Sequence, residues 1–296
     1  MESSGIILAG GLGTRLSPLT TVISKQLLPV YDKPMIYYPI ATLMLAGVVD
    51  FVIVVKPDDL SHFKSLLGDG SDFGISIRYV EQQLPGGIPQ AFLLTEHLLK
   101  GKNVFLILGD NLFVGGGLGR DLNLTSNFEG AQIFSYEVEN PSLYGNLKLG
   151  HNSQIIDIVE KPPIPFSRFA VTGLYCFDSK VFQMAKTLRA SERGELEITD
   201  LLKLYLVNGN LRNTILSRGT AWLDTGNFED LFNAGEYIRI IQRRQGAYIA
   251  CLEEIALRLG LLDPSNPAVI EKSKVSSDYG RYIKRILSEG LPIEPI

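Results

Sequence analysis

The chain has 296 residues, is 45% hydrophobic, and carries 28 basic against 32 acidic side chains for a net charge of −4. That length and apolar content support a sizeable core in one large or two modest domains, and the interspersed charge offers no footprint for a nucleic-acid backbone or an anionic membrane surface. Cys176 and Cys251 stand far apart and His62, His97 and His151 are scattered, which argues against a disulfide framework or a zinc site.

A buried strand comes first: the apolar run Gly5 to Ala9 feeds directly into Gly10-Gly11-Leu12-Gly13-Thr14-Arg15-Leu16. Pro34 to Gly47 reads as a helix with Gly47 as its stop, too short and too interrupted to span a bilayer. With no basic-then-apolar leader, the expectation is a cytoplasmic protein. Strands at 51–55, 75–80 and 104–108 then alternate with helices at 60–67 and 90–99. The middle, 131–226, is richer in strands, at 132–138, 145–149, 155–159, 170–177 and 211–216, with helices at 179–188 and 199–207. It reads as a continuation of the sheet. From Phe228 onward strand signals vanish, and helical spacing covers 232–244 and 253–259. The expected fold is α/β: a mostly parallel, Rossmann-like doubly wound sheet with antiparallel additions and a C-terminal helical subdomain, divided as 1–227 and 228–296.

In such sheets ligands lie at the carboxyl ends of strands, so the residues following each strand are the ones to inspect. Gly10, Gly11 and Gly13 let backbone N–H groups approach an anion without Cβ interference. The loop matches neither the P-loop nor the dinucleotide fingerprint, whose last glycine position is Leu16 here, and that disfavours a nicotinamide-dependent dehydrogenase. Arg15 offers a planar fork for phosphate oxygens and Lys25 a second cation; a plain glycine turn with two solvated basic residues fits the same spacing. Asp110 follows the strand at 104–108 and Asp224 follows Ala221-Trp222-Leu223, so the two carboxylates could converge on one Mg²⁺, or each could be a turn residue. Glu160-Lys161 closes the strand at 155–159 with an acceptor and a cation. Gln82 could present its amide to a base edge or tie its own loop. Glu195, Glu197 and Asp200 read as a helix start capped by Thr199 or Asp200, or equally as a solvated acidic face. No Ser-His-Asp or Cys-His nucleophile is legible. Cations, carboxylates and a backbone cradle suit phosphoryl or nucleotidyl transfer, which needs positioning and charge neutralisation rather than a covalent step.

Taken in order, Leu8 to Leu16, Ser24 to Met35, Leu108 to Asn111, Thr172 to Tyr175, Arg193 to Asp200 and Ala221 to Gly226 closely resemble the glucose-1-phosphate thymidylyltransferases across nearly the whole chain. The Ser-Lys-Gln-Leu-Leu-Pro stretch separates that group from uridylyl- and guanylyltransferase relatives. The resemblance implies Mg²⁺-dependent transfer of dTMP from dTTP to α-D-glucose 1-phosphate, giving dTDP-glucose and pyrophosphate. By motif it puts Gly10, Gly11 and Gly13 around the nucleotide, Arg15 on the departing pyrophosphate, and the metal on Asp110 and Asp224. Lys25 and Lys161 would flank the α-phosphate and the attacking phosphate. Gln82 and Gly87 match thymine-reading positions; Asn111, Gly145, Glu160, Val171, Tyr175 and Arg193 match those near the sugar phosphate. It also implies a homotetramer in dTDP-rhamnose and polysaccharide biosynthesis, inhibited by dTDP-rhamnose.

Some positions depart from the pattern. Leu12 replaces a common serine, Gly86-Gly87-Ile88-Pro89-Gln90 replaces Asp-Gly-Leu-Ala-Gln, and Asn146-Leu147-Lys148-Leu149 replaces a Val-Val-Glu-Phe-like stretch. Val114-Gly115-Gly116-Gly117 lacks the aromatic, histidine and acid that could engage an inhibitor, which predicts weaker inhibition by dTDP-rhamnose. A catalytically weak paralogue that binds sugar nucleotides as a regulatory subunit is the competing expectation.

Overall fold

A computed structural model describes residues 3–122, 128–151 and 154–290. In chain order the first half gives β1 (Ser3–Ala9), β2 (Pro29–Val30), β3 (Lys33–Pro34), α1 (Tyr37–Leu45), β4 (Asp50–Val55), α2 (Leu60–Leu67), β5 (Ser76–Glu81), α3 (Gln90–Leu99), β6 (Asn103–Leu108), β7 (Asn111–Val114) and α4 (Leu118–Asp121). The middle gives β8 (Ala131–Glu137), β9 (Gly145–Leu149), β10 (Ile155–Glu160), β11 (Phe169–Phe177), α5 (Val181–Ala185), α6 (Ile198–Val207), β12 (Leu211–Ile215) and β13 (Ala221–Asp224). Four helices follow: α7 (Phe228–Gln245), α8 (Leu252–Arg258), α9 (Pro267–Ser273) and α10 (Asp278–Glu289).

Strands β5, β4, β1 and β6 form the parallel half of the main sheet, and β11 continues it antiparallel to β6. Beyond β11 lie β8, with β12 parallel to it, and the antiparallel pair β9 and β10. The inner parallel strands β1, β4 and β6 carry apolar runs because both faces are covered, whereas β5 at the edge alternates with polar residues. Side chains alternate between the faces: Ile7, Phe51, Ile53, Phe105 and Ile107 pack toward α1, α7 and α8, whereas Ile6, Val52, Val54, Val104 and Leu106 pack toward α3, α5 and α6. α1 is buried all round from Tyr37 to Met44, and Gly47, at φ 81°, supplies the left-handed stop expected of it.

Three expectations need correction. The segment ending at Asp224 does not extend the main sheet; β13 pairs antiparallel with β7 in a separate two-stranded ribbon. The helix expected over 179–188 contracts to Val181–Ala185, because Thr187 turns both its N–H and its hydroxyl onto the Met184 carbonyl. Neither Thr199 nor Asp200 caps α6: Glu197 occupies the N-cap position, and its carboxylate is held by Ser191 and Arg193 instead. The sequence reading also passed over α9 and α10, capped by Asn266 and Ser277. In the helical end, Ala234 and Ile238 of α7 and Leu252, Ile255 and Ala256 of α8 share one core with α1. Among the described residues no helix is long and apolar enough to cross a membrane.

Candidate active site

The chain leaves the C-terminal end of β1 into the glycine loop, where a single helical turn at Thr14–Leu16 carries Arg15. Gly13, at φ 63°, makes that turn possible, and its carbonyl accepts from the Thr20 hydroxyl at 2.8 Å. Gly10 is a close approach: a Cβ there would lie 2.2 Å from Gln82 Oε1. Gly11 faces open space. The Arg15 guanidinium packs on Gly226, where a Cβ would lie 3.2 Å from Nη1 and Nη2, and it makes no hydrogen bond or ion pair among the described residues. The sequence therefore leaves a fixed backbone cradle beside an uncommitted cation.

Opposite the loop, β6 ends and β7 begins at Asp110-Asn111. Lys25 is buried and places Nζ 2.6 Å from Asp110 Oδ2. Asn111 donates to Asp110 Oδ1 at 3.1 Å, while its own Oδ1 accepts from Trp222 Nε1 at 2.7 Å and the Gly173 N–H at 3.1 Å. The β7–β13 register sets Asp224 across from Asn111, and Thr225 secures the junction with N–H and hydroxyl bonds to the Asp110 carbonyl at 3.2 and 2.9 Å. The Asp224 carboxyl is pushed up to about 6, first by burial and then by the neighbouring Asp110, with Lys25 and Arg15 opposing. Two carboxylates, one already paired with an ammonium, form a hard oxygen donor set of the kind Mg²⁺ uses when substrate phosphates complete its sphere. Among the described residues no group of three or more His, Cys, Asp and Glu is placed to hold a metal ion, at this cleft or away from it, so these two carboxylates would need substrate oxygens to complete a site.

Two contiguous spaces meet at this point. One, about 340 Å³, is lined by Gly11, Gly13, Arg15, Lys25, Gln26 and Asp110. The other, about 220 Å³, is lined by Asp110, Asn111, Gly145, Glu160, Lys161, Val171, Tyr175 and Asp224, with Arg15 and Asp110 common to both. Gly145 lines the second: a Cβ there would be 3.5 Å from Glu160 Oε2 and 3.6 Å from Val171 Cβ. Burial pushes the Glu160 carboxyl up, with Lys161 opposing. Lys161 adopts φ 42°, in the left-handed region, and its N–H bonds the Tyr144 carbonyl at 3.1 Å, which turns its half-exposed side chain over the cleft rim.

The cleft thus gathers Arg15, Lys25, Asp110, Asn111, Gly145, Glu160, Lys161, Val171, Tyr175 and Asp224. Gln82 lies beneath Gly10 and Gly87 packs against Leu196, where a Cβ would meet the Leu196 carbonyl at 2.0 Å, so both stand behind the loop rather than on the lining. Arg193 lines neither space; Glu197 holds it through bonds of 2.7 to 3.2 Å. Sequence reasoning missed Tyr144, Thr172, Thr199 and Trp222 as lining residues. Tyr144 and Trp222 pack ring to ring at 4.9 Å, a pairing across 78 positions of sequence that no local pattern signals. Val114 is buried in β7, and Gly115 is pressed on Gly219, whose carbonyl would lie 2.6 Å from a Cβ.

Comparisons with known proteins identify the family. A family model described as nucleotidyl transferase matches residues 4–239. The chain is 48% identical to a glucose-1-phosphate thymidylyltransferase of Neisseria meningitidis, covering 96% of this chain and 99% of that one. It is 47% identical to one of Mycolicibacterium smegmatis, covering 96% and 98%. A Bacillus anthracis crystal structure assigned as a glucose-1-phosphate thymidylyltransferase, solved with sucrose, superimposes with a TM-score of 0.74 at 40% identity, over 80% of this chain and 95% of that one. A UDP-glucose pyrophosphorylase solved with UDP-glucose shares the fold, with a TM-score of 0.71 at 24% identity over 81% of this chain and 100% of that one. The chain belongs to the nucleotidyl transferase family and, within it, groups with the glucose-1-phosphate thymidylyltransferases. It is a nucleotidyl-transferring enzyme.

Proposed function

We propose that the enzyme transfers dTMP from dTTP to the phosphate of α-D-glucose 1-phosphate, giving dTDP-glucose and pyrophosphate. The observation that carries this reading is the meeting of two spaces at Arg15 and Asp110, one walled by the glycine loop and the other by Gly145, Glu160 and Lys161. One suits a triphosphate, the other a sugar phosphate. The names of the relatives point to the same substrates.

Asp110 and Asp224 would hold Mg²⁺, which when bound supplies charge neutralisation on the phosphate oxygens. Gly10, Gly11 and Gly13 cradle the triphosphate with backbone N–H groups, and Arg15, uncommitted in the free enzyme, takes up charge on the departing pyrophosphate. Lys25 and Lys161 flank the α-phosphate and the incoming phosphate, while Glu160 accepts from sugar hydroxyls beside Asn111, Gly145, Val171 and Tyr175. Arg193 reaches the sugar phosphate only by exchanging Glu197 for it. An oxygen of the sugar phosphate bonds to the α-phosphorus as the bond to pyrophosphate breaks. That nucleophile is already anionic at neutral pH, so no general base is required, and in-line placement at about 3–3.5 Å is the main task.

By the resemblance Gln82 and Gly87 would read the thymine, although both stand behind the glycine loop and line neither space. We read the protein as a cytoplasmic homotetramer in the dTDP-rhamnose route to polysaccharide; the exposed Phe228 and Phe232 on α7 support self-association, which light scattering would measure. The test of substrate choice is a matrix of nucleoside triphosphates against sugar phosphates. The expected result is highest kcat/KM for dTTP with glucose 1-phosphate; binding of both without turnover would favour the regulatory paralogue.

A further inference from the structure

We propose that Gln90 is a specificity-determining positioning residue: it fixes which way round the Gln82 amide is presented and thereby sets selection of a thymine- or uracil-type edge over cytosine. The proposal rests on the reading that Gln82 faces the base.

The orientation is set at Gly86. Its backbone N–H can only donate, and it donates to the Gln90 side chain at 2.7 Å, so the atom of Gln90 that it meets is the carbonyl oxygen Oε1. The same Oε1 lies 2.6 Å from Gln82, and a second contact to an amide oxygen must come from a donor, so Gln82 turns its Nε2 toward Gln90. A rotation that is ordinarily ambiguous for an amide is settled by one backbone group two links away. Glycine at position 86 permits this: a Cβ there would fall 2.8 Å from Gln90 Cδ and push the amide off the turn. Gln90 is itself anchored as the first residue of α3.

With one Nε2 hydrogen spent on Gln90, Gln82 has one N–H and its Oε1 left to offer. Oε1 accepts no hydrogen bond among the described residues and packs against the backbone of buried Gly10, on the underside of the glycine loop. Gln82 is otherwise buried, with its own N–H bonded to the Val55 carbonyl at 2.8 Å, so the side chain pivots on a fixed stem. An edge with an N–H donor beside a carbonyl acceptor, as in thymine and uracil, matches that remaining pair. Cytosine presents an acceptor beside an amino donor, the reverse pattern. Without Gln90 the amide is free to turn over and satisfy cytosine as well.

The experiment compares kcat/KM for dTTP and dCTP, at fixed glucose 1-phosphate, in the wild-type enzyme and in Gln90→Met, Gln90→Ala, Gln90→Glu and Gln82→Met, with each variant's thermal midpoint recorded. Gln90→Met and Gln90→Ala, which remove the acceptor, should lower the dTTP-to-dCTP ratio about tenfold or more through a gain or retention of dCTP activity. Gln90→Glu keeps an acceptor toward Gln82 and should keep the ratio within about twofold of wild type. A parallel fall for both nucleotides in Gln90→Met and Gln90→Ala, with the ratio unchanged, would mean that Gln90 only supports the loop and would overturn the proposal. So would a ratio in Gln90→Glu as low as in Gln90→Met. Gln82→Met separates the underlying reading: it should erase discrimination, and retained discrimination in that variant would show that Gln82 does not read the base at all.

Discussion

Lys25 Nζ lies 2.6 Å from Asp110 Oδ2, and this contact links the turn that follows the glycine loop to the junction between the main sheet and the β7–β13 ribbon. Lys25 is almost wholly buried while Asp110 keeps one edge open to the cleft. Replacing Lys25 with Met should reduce kcat by about 10²-fold or more by removing a cation from the reacting phosphates. Part of the effect should be structural, since an uncompensated carboxylate beside Asp224 is left behind. Steady-state kinetics and a thermal midpoint on the same sample check both consequences; normal kcat would remove Lys25 from the chemistry.

Asp110→Asn and Asp224→Asn should each eliminate most turnover while leaving the fold intact, because each removes charge without changing shape. The double variant should lose little beyond either single one, as expected of groups that act as a unit. Mn²⁺ titration followed by electron paramagnetic resonance gives a readout independent of activity. Near-normal Mn²⁺ affinity in either variant would contradict a shared metal site.

Arg15→Ala and Lys161→Ala should differ in kind. Arg15 packs beside Gly226 between the two spaces, whereas Lys161 sits on the rim with Glu160. Loss of Arg15 should lower kcat, and loss of Lys161 should also raise KM for glucose 1-phosphate. Matching kinetic signatures would undo that division of roles.

At the opposite end of the sheet, Asp50 accepts from Ser4 at 2.7 Å, Arg78 at 2.7 Å and Lys102 at 2.9 Å, pinning four parallel strands together. Burial pushes its carboxyl up, but the bonds from Lys102, Ser4 and Arg78 outweigh it and hold the carboxyl below its ordinary value of 3.8. A depressed folded-state pKa gives stability that is present above the unfolded value and lost as pH falls through the folded one. Asp50→Asn should therefore destabilise by about 1–2 kcal/mol at neutral pH, discounted for partial exposure, with activity unchanged. Urea midpoints should converge with wild type as pH drops below the ordinary carboxylate range; a constant gap would contradict the linkage.

The inner strands of the parallel half, β1, β4 and β6, were legible because they carry apolar runs buried on both faces, and the glycine loop because Gly13 needs its left-handed φ. Asp110 and Asp224 were legible for the same reason, as carboxylates after apolar segments. What the local pattern could not carry was the partner of each strand: four residues ending in Asp224 look the same whether they join a large sheet or a two-stranded ribbon. The Tyr144–Trp222 wall and the Gln82–Gln90 bond likewise depend on folding back of distant or looped segments. The pairing of Arg193 with Glu197 also depends on the turn ahead of α6, which the motif alone does not show.

The most direct measurement is ³¹P nuclear magnetic resonance of the purified enzyme with dTTP, glucose 1-phosphate and Mg²⁺. The expected result is loss of the glucose 1-phosphate and triphosphate signals together, with dTDP-glucose and pyrophosphate appearing in equal amounts. Pyrophosphate formed without the sugar phosphate, or no product signal from an enzyme that binds both substrates, would contradict it.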